Sequence, residues 1–298
     1  MRMFNGRVGL ALIAALVGAP GSARAQVNGR TSIDTILAFD KGGTVSLGSG
    51  SATIIVTAWD QNSIRIRARA EDGLLRVETS ARRVSVQPTR SSDDAMIEVT
   101  VPRGVRVEAH LTDGDISIRG TRGSVEATTS SGDLQVSDAT SVTAESLSGD
   151  VYVSQATGAV IATTSNGDLD IRDCSGSVDA TSVSGGIDIS RSSARSVKAN
   201  VTSGDIHFSG ALTAQGTYSL TTHSGDVEIE LDKHASAQVD ASTWSGEIDS
   251  EFPVILKPGS SRTGSNPAKH FTFTIGAGSA KFSAETFSGD IVLRAKGG

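Results

Sequence analysis

One short phrase recurs along most of the chain: a small residue, glycine, an acid, an aliphatic, any residue, an aliphatic. It stands at Gly114-Asp115-Ile116, Gly132-Asp133-Leu134, Gly149-Asp150-Val151, Gly167-Asp168-Leu169 and, with glycine in the acid position, Gly185-Gly186-Ile187. It continues at Gly204-Asp205-Ile206, Gly225-Asp226-Val227, Gly246-Glu247-Ile248 and Gly289-Asp290-Ile291. Successive glycines are 18, 17, 18, 18, 19, 21, 21 and 43 residues apart. A period near 20 marks a repeated unit that buries its apolar face only by stacking on its neighbours.

Each copy is preceded by an alternating segment. Examples are Val125-Glu126-Ala127-Thr128-Thr129, Val142-Thr143-Ala144-Glu145-Ser146, Val160-Ile161-Ala162-Thr163-Thr164 and Val178-Asp179-Ala180-Thr181-Ser182. The first, third and fifth positions are aliphatic, small and hydroxylic; the second and fourth are mostly polar. Period-two alternation assigns the first set to the interior and the second to solvent. A second short strand follows each Gly-Asp, as in Ile116-Ser117-Ile118 or Leu169-Asp170-Ile171. Each coil therefore holds two main strands and two corners.

These features predict an all-β, single-domain parallel β-solenoid, or β-helix, with coils of roughly 18–21 residues. A hexapeptide helix would repeat an aliphatic every six residues, yet six past Ile116 is Arg122 and six past Leu134 is Thr140. The alanine column implies a narrow section, because opposing sheets approach closely only where one side carries methyls. Inward Thr and Ser are expected to hydrogen-bond to one another along the stack. Residues 26–106 alternate without the Gly-Asp phrase and read as irregular N-terminal coils of the same domain; residues 107–298 are the regular repeats. The 43-residue gap reads as about two coils interrupted by a polar loop near 253–281. The last strand, Ile291 to Arg294, is expected to leave an open edge unless that loop folds back over it.

The first 25 residues read as an address. Arg2 and Arg7 precede the apolar run Val8 to Val17, and Ala23-Arg24-Ala25 ends the segment in the manner of a cleaved secretory signal peptide. That run is too short to span a bilayer comfortably. Export to the periplasm or beyond follows, with no later segment apolar enough to be a membrane span. The chain holds 27 Lys+Arg against 33 Asp+Glu, a net charge of −6. No basic surplus exists to neutralise phosphates, which argues against nucleic acid. One cysteine, Cys174, excludes an internal disulfide. Aromatics are only 4% of residues, while Ser and Thr number 42 and 28, a composition suited to tightly stacked strands rather than a core of large rings.

The Gly-Asp phrase, the Val-x-Ala-x-Thr strand, the segment Val101-Pro102-Arg103-Gly104-Val105 and the late Glu251-Phe252-Pro253-Val254 before a final Gly-Asp-Ile resemble one family. It comprises exported bacterial β-strand-repeat proteins catalogued as candidate adhesins, a domain of unknown function. The resemblance covers nearly all of the chain after residue 25 and implies architecture; it carries over no catalytic residues.

Two constellations stand out. The acidic column is Asp115, Asp133, Asp150, Asp168, Asp205, Asp226, Glu247 and Asp290. Stacked about 4.8 Å apart, like charges repel by roughly 1 kcal/mol per pair in water, so something must compensate. The favoured reading is a corner in which Ser and Asp side chains bond nearby backbone amides. The alternative is a row of Ca²⁺ sites, Ca²⁺ being the one cofactor the pattern suggests. In four coils the position before the Ser-Gly-acid corner, or its Ser-Gly-Gly variant, holds a large apolar residue, Leu147, Val183, Trp244 and Phe287, candidates for exposed interaction residues. The favoured expectation is that the 253–281 loop covers Trp244 and Phe287. No nucleophile, zinc or phosphate-loop motif occurs. The sequence thus reads as an exported, non-enzymatic scaffold or adhesin whose partner is a protein or glycan of the cell envelope, with edge-to-edge self-association as a further option. The alternative is a carbohydrate-binding or carbohydrate-active β-helix.

Overall fold

The computed structural model describes residues 25–30, 32–70, 75–88, 95–253, 255–256 and 269–296. Residues 1–24, which hold all but the last residue of the expected signal peptide, and the loop segment 257–268 lie outside the described residues. The N-terminal strands are β1 (Ala25–Arg30), β2 (Ser32–Ala38), β3 (Thr44–Trp59), β4 (Ser63–Arg69), β5 (Leu75–Thr79), β6 (Arg83–Pro88) and β7 (Ala95–Pro102). Regular coils follow, each a long strand and a short one: β8 (Arg106–Asp113) and β9 (Ile116–Arg119), β10 (Ser124–Ser131) and β11 (Leu134–Ala139), β12 (Ser141–Ser148) and β13 (Val151–Ala156). Next come β14 (Ala159–Asn166) and β15 (Leu169–Arg172), β16 (Ser177–Ser184) and β17 (Ile187–Ser192), β18 (Ser196–Ser203) and β19 (Ile206–Gly210). The C-terminal strands are β20 (Thr217–Ser224), β21 (Val227–Leu231), β22 (Ala237–Ser245), β23 (Ile248–Ser250), β24 (Ile255–Leu256), β25 (Lys269–Ile275), β26 (Ala280–Ser288) and β27 (Ile291–Ala295).

The protein is an all-β solenoid. Long strands stack in parallel as one wall and short strands as the other, in residue-for-residue register apart from a shift between Ser190 and Ser192 where β17 meets β19. Val125 pairs with Val142, Val160, Val178 and Val197 in turn, and Ala127 with Ala144, Ala162, Ala180 and Ala199. These columns are buried, opposite the aliphatics of the short strands such as Ile116, Leu134, Val151 and Leu169. A register slip of one residue would turn every one of these side chains to solvent.

Both ends depart from simple winding. β3 runs through both walls and lies between β6/β7 on one side and β8/β9 on the other, parallel to all four. Outside it the chain closes in antiparallel pairs, β5 on β6, β1 on β5, β4 on β7 and β2 on β4. At the other end, β26 and β27 insert between β20/β21 and β22/β23. β25 then pairs antiparallel with the outer rim of β22, and β24 with β25.

This insertion corrects two expectations. The 43-residue spacing is not two coils in succession, since β22/β23 stands one rung out and the last coil fills the gap. The strand containing Ile291 to Arg294 is not an open edge, because β21 and β23 hydrogen-bond to its two rims.

Candidate functional site

The Gly-Asp corner is built by backbone geometry. Gly149 has φ = 141°, in the region that favours glycine. A Cβ there would also overlap the Gly132 carbonyl oxygen of the preceding coil. The acid next to it faces outward and bonds the following coil. Asp115 Oδ1 accepts the Asp133 amide at 2.9 Å, Asp133 that of Asp150 at 2.9 Å, and Asp150 that of Asp168 at 2.8 Å. Asp168 accepts the Gly186 amide, Asp205 that of Asp226, Asp226 that of Asp290, and Asp290 that of Glu247. Each carboxylate thus sits on an N–H dipole of its neighbour, which offsets the repulsion along the column. Among the described residues, no group of three or more His, Cys, Asp or Glu is placed to hold a metal ion.

A second ladder runs inside this corner. Thr129, Ser146, Thr164 and Ser182 donate to the carbonyls of Gly114, Gly132, Gly149 and Gly167 at 3.2–3.4 Å. Thr222, Thr286 and Thr243 donate to Gly204, Gly225 and Gly289 at 2.9–3.0 Å. The hydroxyls therefore bond corner carbonyls and not each other, because the fifth strand position lies directly under the turn. One step lacks both bonds: Gly186 offers no carboxylate to Asp205, and Val201 offers no hydroxyl to Gly185.

The exposed column beside the corner is where the structure gathers surface rings. Phe287 stacks on Trp244 with centroids 5.8 Å apart and planes 8° from parallel; His223 stacks on its other side at 4.9 Å and 14°. The order in space is His223, Phe287, Trp244, because β26 separates β20 from β22. With faces turned on one another, the rings present their edges to solvent as one strip. Trp244 and Phe287 remain 41% and 49% exposed. The expectation that the 253–281 segment covers them is not met by its described part, since β25 extends the wall at its rim. Leu147 and Val183 are exposed in the same column, several rungs away.

The second corner carries features that the repeat phrase does not announce. Arg122, Asp138, Gln155, Asp173 and Arg191 all have φ between 48° and 56°, without glycine. Arg122 pairs with Asp138 at 3.1 Å and Arg191 with Asp173 at 2.7 Å, so successive left-handed residues clasp each other. Cys174, next in line, is buried like Ala139 and Ala156, and burial pushes its thiol pKa up. On the outer face of the short-strand wall, His207 Nδ1 lies 3.2 Å from Asp188 Oδ2. That hydrogen bond raises the His207 pKa above 6.5 and lowers that of Asp188 below 3.8.

The sequence profile of the family described as Toastrack DUF4097 matches residues 40–294. A solved structure of a candidate cell adhesion protein from Clostridium sporogenes is 7% identical, with TM-score 0.24, over 93% of this chain and 100% of that one. A second, of a candidate adhesin from Bacteroides fragilis, is 11% identical, with TM-score 0.36, over 92% of this chain and 98% of that one. No curated protein matches the chain.

Proposed function

The chain belongs to the Toastrack DUF4097 family, and from that premise we propose that it acts as an exported, non-enzymatic adhesive scaffold in the periplasm or beyond. Its contact strip is the stacked column His223, Phe287 and Trp244, and its partner is a glycan or protein of the cell envelope. The observation that carries this reading is the exposure of three stacked rings on paired strands in a chain so poor in aromatics. Large rings supply contact area at low entropic cost and are enriched where proteins meet. The leader at residues 1–25 supports export.

A non-enzymatic role fits the acids. Acid–base catalysis needs carboxylates in contrasting environments, whereas the column repeats one environment and commits an oxygen of each bonded Asp to the next coil's amide.

The test is a glycan array and an envelope pull-down with residues 26–298, comparing the parent with a Trp244→Ala/Phe287→Ala variant. The reading expects a ligand whose binding falls at least tenfold in the variant while the melting temperature holds. Finding no ligand whose binding falls in the variant, or turnover of a glycan by the parent, overturns it.

A further inference from the structure

The N-terminal end carries a second surface of different chemistry. The outward residues of β4 are Ser63, Arg65, Arg67 and Arg69, while Ile64 and Ile66 between them are fully buried. Pairing sets Asp34 and Ile36 of β2 on one side of this row, and Met96, Glu98 and Thr100 of β7 on the other. Two adjoining cavities of about 360 and 420 Å³ share Arg67 and Glu98 and form one groove across the face. Trp59 lines it beside Arg65, its Nε1 donating to the Ser63 carbonyl at 2.6 Å.

We propose that this groove binds an acidic glycan, a polymer with carboxylates on its sugar rings. Three arginines face two acids there, and Arg119 lies one strand further, opposite Thr57. The local surplus is positive on an acidic molecule. Residues 26–122 hold 13 Lys+Arg and 12 Asp+Glu, whereas residues 123–298 hold 11 and 21. Anions are therefore drawn to this end.

One guanidinium of the three is firmly held, and the other two keep donors for a ligand. Arg65 Nε and Nη2 grip the two oxygens of Asp34 at 3.1 and 3.0 Å. Arg67 lies at 3.5 Å from Asp34 and 3.8 Å from Glu98, contacts that orient it loosely. Arg69 has no ion pair among the described residues. A planar fork of donors recognises a carboxylate in two-point fashion, and Arg67 and Arg69 are the forks not committed to a close bidentate pair. The indole of Trp59, fixed by its hydrogen bond and half-buried, offers an apolar ring against which a sugar face packs. The row from β2 to β9 crosses five strands, about 19 Å at the usual strand spacing, a length that suits several linked sugars. A nucleic acid would need several stacking rings and a basic domain, which this end lacks.

The test uses residues 26–298 and oligogalacturonate as probe, with a neutral oligosaccharide, single-stranded DNA and anionic lipid vesicles as comparators. Titration calorimetry is expected to show oligogalacturonate binding that weakens with salt and falls at least tenfold in Arg67→Gln/Arg69→Gln. The neutral sugar, DNA and vesicles are expected to bind at least tenfold more weakly. Trp244→Ala is expected to leave the affinity unchanged, which separates this groove from the aromatic strip. Should the double variant fail to fold, Arg69→Gln alone decides, with an expected loss of at least threefold. No binding of oligogalacturonate, equal binding by the variants, or stronger binding of DNA or vesicles overturns the proposal.

Discussion

The coils between Gly114 and Ser203 and those beyond Gly204 obey the same corner rule but fill their interiors differently. In the first group, 17 to 19 residues enclose valine, alanine, leucine and isoleucine. In the second, the spacing grows to 21 and Phe208, Tyr218 and Phe282 meet with centroids 5.6–5.7 Å apart. The segments at 211–216 and 232–236 provide the additional length. Corner geometry and coil girth are therefore separate variables: Gly and Asp set the first, inward side-chain volume sets the second. The missing carboxylate at Gly186 and missing hydroxyl at Val201 fall at the boundary between the two groups.

The largest expected effect attacks what the groups share. Gly149→Ala places a methyl against the Gly132 carbonyl and forces an L-residue to φ near 141°. A loss of about 4 kcal/mol or more is expected, read by urea denaturation. A loss under 1 kcal/mol would show that the corner relaxes, and that glycine is not what spaces the rungs.

Girth is tested by reciprocal changes. Phe282→Ala empties the ring cluster and is expected to cost about 3–5 kcal/mol. Ala162→Leu overfills the narrow group and is expected to cost about 1–3 kcal/mol. If Ala162→Leu were neutral, the walls of the narrow coils would not be held apart by their side-chain volume.

Much of the narrow group is legible in the sequence because each coil restates it. The Val125 and Ala127 columns, the corner and the parallel register all follow from alternation and spacing. Three things are not legible. The placement of β3, and of β26 and β27, inside the stack leaves no local mark, since a strand reads alike wherever it is inserted. That is why His223, Trp244 and Phe287 are neighbours in an order their numbers do not suggest. The left-handed corner at Asp138, Gln155 and Asp173 escapes notice because it uses no glycine. Arg65, Arg67 and Arg69 read only as outward strand residues, for their convergence with Trp59 depends on antiparallel pairings outside the repeat.

Repairing the boundary is expected to bring the two groups together. Gly186 is not in the left-handed region, and a Cβ there meets the Asp205 carbonyl oxygen at an ordinary 3.4 Å. Gly186→Asp supplies the acceptor that the Asp205 amide lacks and removes a flexible residue from the unfolded chain. A gain of about 1 kcal/mol is expected, together with slower exchange of the Asp205 amide by NMR. A destabilised variant would mean that repulsion from Asp168 and Asp205 outweighs the new bond.

The smallest expected effect is a pH dependence confined to the wide group and its border. His207 on β19 lies between Asp188 on β17 and Glu230 on β21, whose carboxylate is 3.9 Å from Nε2. The Asp188 hydrogen bond raises the His207 pKa above 6.5, with the charges of Asp188, Glu230 and Glu228 adding to it and burial opposing. A raised histidine pKa contributes stability that is complete below about 6.5 and is lost as pH climbs through the folded value. Asp188 works in the other direction: held below 3.8 chiefly by His207, it contributes above that value and loses its contribution as pH falls through the folded one. The pair is therefore strongest between those limits. Both side chains are about a third or more exposed, so screening keeps the effect small. The melting temperature is expected to fall by about 1–3 °C between pH 6 and pH 8.5 through this pair, and His207→Gln is expected to flatten that slope. An NMR titration placing the His207 pKa at or below the ordinary 6.5 would show that the pair adds nothing and leave the wide coils held by their rings and corners alone.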